Sequence, residues 1–224
     1  MKYRSVYIQL LFILALLSSC KEEKQYVYPS VKLEFLTAQA DDVGGLLYLI
    51  KDDGSKLRVV ADHTGTLFTV DSETRIVCNY VTLEEPTVTE EGTAEVYSLL
   101  SPVSLQPIKL ASPSTDMKVD PLAVQSIWLS GKYINMVLLV KAQDGKHFFH
   151  FIEDSIAAES GRNRVYLTLY HDKGDDVEAY SKNAYASVPL ASYIAQYKNG
   201  FYISFRIHTY GKLETYKFEY KPAD

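Results

Sequence analysis

The chain has 224 residues, 47% apolar and 23% charged, with two cysteines, eight prolines and eleven glycines. Those proportions exclude the disordered, collagen-like and disulfide-stapled classes and leave an ordinary globular protein. A net charge of −5 argues against a nucleic-acid partner, which would need clustered Lys and Arg. Eighteen tyrosines point to β structure.

The chain opens on an address. Lys2 and Arg4 precede an apolar run, Val6 to Leu17, broken only by Gln9, and small Ser18 and Ser19 then lead to Cys20. That is the layout of a cleaved secretory signal, and the run is too short to span a bilayer as a helix. Leu17-Ser18-Ser19-Cys20 resembles the bacterial lipoprotein signal, which implies lipidation (palmitate among the acyl chains) of Cys20 as the mature N-terminus and a membrane partner through that anchor. Lys21, Glu22 and Glu23 resemble the short signal that carries Bacteroidetes lipoproteins to the outer face of the outer membrane. Loss of residues 1–19 removes two basic residues and no acid, so the net charge deepens from −5 to −7. Residues 20–29 read as the tether.

Antiparallel strands are expected from there on. Leu46 to Ile50 and Leu57 to Val60 flank Lys51-Asp52-Asp53-Gly54-Ser55, a hairpin cue. Arg75 to Leu83 and Ala94 to Leu100 add two strands; Cys78, inside the first, reads as a small core residue. The polar stretch Ala111 to Asp116 marks a break, placing one domain over 30–110, a linker over 111–118 and a second domain over 119–224. In the latter, Tyr133 to Lys141 and Lys146 to Ile152 are expected to pair as a hairpin across Gln143-Asp144-Gly145. Val165 to Tyr170 alternates, and Pro189 to Tyr197 is the one helix-like piece. After Asn199-Gly200, Phe201, Ile203, Phe205 and Ile207 line one strand face, and Gly211 turns the chain into Lys212 to Tyr220. Short strands with one apolar face predict an all-β chain and a sandwich.

Asp120-Pro121 and Trp128 to Asn135, followed by Leu167 to His171 with Gly174-Asp175 and by Ser187 to Leu190, resemble segments of the NigD-like lipoproteins of Bacteroidetes. The resemblance covers nearly the whole chain, although Tyr170 stands where a basic residue would be expected before the histidine. It implies a small N-terminal OB-like barrel followed by a C-terminal antiparallel β-sandwich. The family name comes from association with a bacteriocin gene cluster, and it supplies no catalytic residues.

Reactive constellations are sparse. His147 and His150 are three apart in a strand-like run and face opposite sides; His171 and His208 lack ligand spacing, so no metal or other cofactor is expected. Asp52-Asp53, Glu84-Glu85 and Asp175-Asp176 read as solvated turn residues. Nucleophile elbow, P-loop and zincin motifs are absent, so no catalytic residue is assigned. Tyr202, Arg206, His208 and Tyr210 would form an aromatic and polar stripe on the non-core face of one strand, a candidate binding face. The sequence therefore points to a non-catalytic outer-membrane lipoprotein with a protein or glycan ligand. A bacteriocin-immunity protein and a hydrolase with an unrecognised site are the alternatives.

Overall fold

The computed structural model describes residues 31–110 and 117–222. Cys20 and Lys21, Glu22 and Glu23 lie outside them, as do residues 111–116 of the expected linker.

Five strands build the first module: β1 (Lys32–Ala40), β2 (Leu46–Ile50), β3 (Lys56–Asp62), β4 (Glu73–Glu84) and β5 (Gly92–Leu100). They close into a barrel in the order β1-β2-β3-β5-β4, with β4 returning to β1 and β3 parallel to β5. Bulges at Gln39/Ala40, Val59/Ala61 and Asn79/Tyr80 bend the strands enough to close so small a ring. Strand alternation sends Leu36, Ala38, Leu49, Leu57, Ile76, Cys78, Tyr80, Ala94 and Val96 inward. Cys78 is fully buried, and desolvation pushes its thiol up to about 12. Tyr80 Oη donates to Glu34 Oε2 at 2.8 Å, which satisfies this buried hydroxyl.

The chain then crosses to the second module, first through a bridge between Val103 and Ala186 and then through β6 (Ile108–Lys109). The remaining strands are β7 (Ala123–Ser130), β8 (Tyr133–Ala142), β9 (Phe148–Glu159), β10 (Arg162–Asp172), β11 (Tyr180–Pro189), β12 (Phe201–His208) and β13 (Leu213–Tyr220), with one helix, α1 (Ala191–Gln196), before β12. They form a five-stranded sheet, β13-β12-β10-β9-β6, facing a three-stranded sheet, β11-β8-β7. Between the sheets lie Ile134, Met136, Leu138, Phe151, Val165, Leu167, Phe201, Ile203, Phe205 and Ile207. Each such side chain contributes about 1.5–3 kcal/mol on leaving water. The expected alternation of β12 is therefore the core pattern itself.

One pairing differs from expectation. β8 and β9 do not form a hairpin, because they lie in different sheets. The Asp144-Gly145 segment carries the chain from one sheet to the other, and β8 instead pairs with β7 across Gly131 and with β11 on its other side. A two-residue turn cue fixes a reversal of direction but not the sheet that the chain enters next. Likewise β12 is parallel to β10, since β11 and α1 intervene and bring the chain back to the same end.

Candidate functional site

The barrel and the sandwich belong to one compact unit that starts at Val31. Their junction follows from strand alternation. Residues of β1 and β4 that do not face the barrel core, Phe35, Arg75 and Val77 among them, point outward. On β8 the residues that alternate with Ile134, Met136 and Leu138, namely Tyr133, Asn135 and Val137, point away from the sandwich core. Their neighbours are Ser187 and Tyr185 on β11 and Trp128 and Ser130 on β7. The two outward faces meet.

Arg75 sits at the centre of that contact, 7% exposed. Its Nη1 and Nη2 donate to Asp52 Oδ1 and Oδ2 at 2.6 and 3.0 Å, a bidentate pair. Nη2 also donates to Asn135 Oδ1 at 2.9 Å, and Nε to Ser187 Oγ at 3.1 Å. Asn135 Nδ2 donates to Asp52 Oδ2 at 3.0 Å, and Ser187 Oγ to Asn135 Oδ1 at 2.7 Å, so the network closes on itself. The guanidinium lies 3.9 Å from the centroid of the Tyr133 ring. Gly131 lets the β7–β8 turn approach Asp52: its φ is +51°, and a Cβ there would fall 2.3 Å from the Asp52 carbonyl oxygen. Asp52 is thus a largely enclosed ion-pair partner, its side chain 11% exposed, rather than the solvated turn residue expected. The turn signal around it is local, and its partner Arg75 is 23 residues away in sequence.

Beside this network opens a cleft of about 340 Å³, walled by Leu33, Phe35, Val77, Trp128, Val137 and Tyr185 and rimmed by Lys51, Asp53 and Ser130. Trp128, the only tryptophan, stands edge-to-face with Phe35 at 5.5 Å and is still 37% exposed. Tyr185 packs on the same Phe35 ring at 6.0 Å. The wall is not legible as a site in the sequence, because its residues come from five strands of two modules. The sequence offers only a lone tryptophan at the start of the segment Trp128 to Asn135.

A second polar cluster lies within the sandwich. His147 Nδ1 is 2.8 Å from His171 Nε2, His147 Nε2 is 3.2 Å from Asp176 Oδ2, and His171 Nδ1 is 2.8 Å from the Asp120 carbonyl oxygen. Phe149 stacks on the His171 ring at 4.6 Å. Burial pushes the Asp176 carboxyl up, but backbone N–H donors of Gly145, Gln143 and Asp144, together with His147, outweigh it and hold the group at about 2. Burial lowers His171 and keeps it neutral, only partly opposed by Asp120. The Asp120 carbonyl and the Asp176 carboxylate only accept, so all three bonds are made when both nitrogens of His147 carry protons. Asp176 is therefore a buried anchor, not a solvated turn residue: it lies 29 residues from His147 in sequence, beyond the reach of any local signal. His171 meets His147 rather than His208. The two nitrogens of His147 serve different partners, so the cluster converges on no single point for a metal, and no metal-holding group occurs among the described residues.

The expected binding stripe is only partly assembled. Tyr202, Arg206 and His208 share the outer face of β12, whereas Tyr210 lies past its end in the turn closed by Thr209 and Lys212. Tyr202 is flanked by Arg162 and Arg164, 5.7 and 5.0 Å from its ring. Arg206 is held by Asp154 Oδ2 at 3.0 Å and by Thr168 Oγ1 at 3.2 Å.

Comparison with known proteins fits this architecture. The model of the NigD-like C-terminal beta sandwich domain matches residues 106–220. A solved structure of a NigD-like immunity protein from Bacteroides caccae is 36% identical, covers 88% of this chain and 100% of that one, and superposes with a TM-score of 0.72. A Bacteroides vulgatus protein of unknown function shares the fold at 18% identity, covering 87% of this chain and 92% of its own, with a TM-score of 0.68. No curated protein matches. A sandwich model spanning just over half the chain and a relative of that identity over nearly its full length lead to one conclusion: the chain belongs to the NigD-like family.

Proposed function

We propose that the chain is a lipid-anchored accessory protein of the outer membrane, tethered at Cys20, that binds a protein or glycan ligand at the cell envelope and catalyses no reaction. The observation that carries the reading is the cleft at the junction, a concavity in the size range of ligand sites whose walls are fixed by the Arg75 network. The histidine cluster of the sandwich supports binding over catalysis: the side chains of His147 and Asp176 are 7% and 4% exposed, and His171 is 2% exposed, too enclosed to meet a substrate.

The test has three arms. Labelling with radioactive palmitate should mark the chain and fail for Cys20→Ala. Protease shaving of intact cells should degrade it if Lys21, Glu22 and Glu23 direct it outward, and full protection would overturn surface exposure. Pull-down from the envelope combined with a glycan array should yield a ligand. Turnover of any envelope glycan by the purified chain would replace the binding reading with the hydrolase.

A second reading, bacteriocin immunity at the envelope, is favoured by the name of the Bacteroides caccae relative. Deleting the gene should then raise bacteriocin sensitivity, and unchanged sensitivity would dispose of it.

A further inference from the structure

We infer that the junction cleft takes an uncharged saccharide unit, seated with one C–H face against Trp128 and its hydroxyls toward the rim. The inference rests on the binding reading above and names the ligand class for the same cleft.

The wall chemistry comes first. Trp128 keeps more than a third of its surface open although Phe35 fixes its plane, so a broad, rigid apolar face is held ready at no ordering cost. Leu33, at 55% exposed, extends the apolar wall at the mouth.

Charge narrows the ligand further. Among the lining residues, Asp52 is neutralised by Arg75, which is 7% exposed and places four of its five N–H donors on Asp52, Asn135 and Ser187. Glu34 and Asp53 remain acidic against a single Lys51, which itself lies 3.8 Å from Glu85. A phosphate, sulfate or nucleotide would meet net repulsion here and find no free guanidinium. Sugar hydroxyls, by contrast, are donors as well as acceptors, and the rim offers acceptors. Asp53 commits its Oδ1 to the backbone N–H and hydroxyl of Ser55 and still presents Oδ2, with Ser130 beside it. Size points the same way. A cleft of about 340 Å³ lies at the small end of ligand sites, whereas a stable protein interface buries about 1,000 Å² or more.

The experiment uses the full chain in detergent micelles and its only tryptophan as reporter. Neutral and sulfated glycans are screened on an array, and hits are titrated by Trp128 fluorescence. A neutral saccharide should shift the emission, and Trp128→Ala should weaken array binding at least tenfold. Leu33→Arg, at an exposed position that tolerates change, should block the mouth with the same loss and guards against misfolding of the first variant. Tyr202→Ala should bind as the parent does. Loss in Tyr202→Ala with retention in Trp128→Ala would overturn the assignment to the cleft, as would a preference for sulfated glycans. A benzophenone carried on Glu85→Cys, an exposed position outside the cleft lining and 3.8 Å from Lys51 at the rim, separates the two readings in the envelope. Capture of a protein with no saccharide bound overturns the ligand class and leaves the binding reading standing; no capture and no saccharide overturns both.

Discussion

Two buried polar clusters hold this molecule, and they are built on different chemistry. At the junction, Arg75 and Asp52 bind β4 of the barrel to the turn that ends β2 and, through Asn135 and Ser187, to the sandwich. In the sandwich, Asp176, His147 and His171 bind the segments around Gly145 and Gly174 to Asp120. Arg carries its charge at every pH a cell meets, so the cation of the junction is never lost near neutrality. Histidine does not, so the second cluster answers to protons. The rigid chemistry lies where two modules meet and the titratable chemistry lies within one.

The largest effect should come from Arg75→Ala. It leaves Asp52 enclosed without its partner, and breaking a buried pair costs about 3–5 kcal/mol. Urea unfolding measures this; a loss below about 1 kcal/mol would mean that water replaces the guanidinium and that the junction is not the anchor described. Gly131→Ala tests the same contact from the opposite turn. A residue at φ +51° whose Cβ meets the Asp52 carbonyl at 2.3 Å should cost about 1–3 kcal/mol by the same measurement.

Of the two clusters, the second should respond to acid first, because it alone contains histidine. His171 has a folded value below the 6.5 of the free side chain, so the unfolded chain binds the extra proton first. Stability should begin to fall as pH drops through about 6.5, since a second proton on His171 removes the acceptor that His147 uses. Asp176, held down at about 2, adds a further loss as pH falls from 3.8 toward that value. The urea midpoint against pH should therefore decline in two stages, and His171→Asn should flatten the first; an unchanged first stage would place the sensitivity elsewhere. Smallest of all should be Arg206→Ala. Its pair with Asp154 has side chains 40% and 22% exposed, so the loss should stay below about 1 kcal/mol. That is the contrast with Arg75, the same residue type facing the same kind of partner.

The sequence carried those parts of the fold that depend on neighbours along the chain. The alternation of β12 reported its core face directly, and Ile76, Cys78 and Tyr80 lie inward in a strand legible from its apolar run. What escaped depended on partners far away. Asp144-Gly145 has the local chemistry of a hairpin, yet β9 pairs with β10 because the apolar faces of β8 and β9 are opposite walls of one core. Asp52 and Asp176 sit beside turn glycines, so their local setting reads as solvent-exposed, while their enclosed state is decided by Arg75 and by His147. The cleft is least legible: Trp128 opens a family-like segment, but its meaning requires Phe35, 93 positions earlier, to come from another module.

Around Asn135 and Ser187 the three-stranded sheet has the sandwich core on one side and Arg75 on the other. A wall shared in that way belongs to neither module. Detached from the barrel, it would present Trp128, Tyr133, Val137 and Tyr185 to water, together with polar side chains cut to fit a missing guanidinium. The family model begins at residue 106, after the barrel has ended, and so divides the chain where its architecture changes. The free energy has no seam there: the two β modules should melt in a single transition, as one cooperative unit.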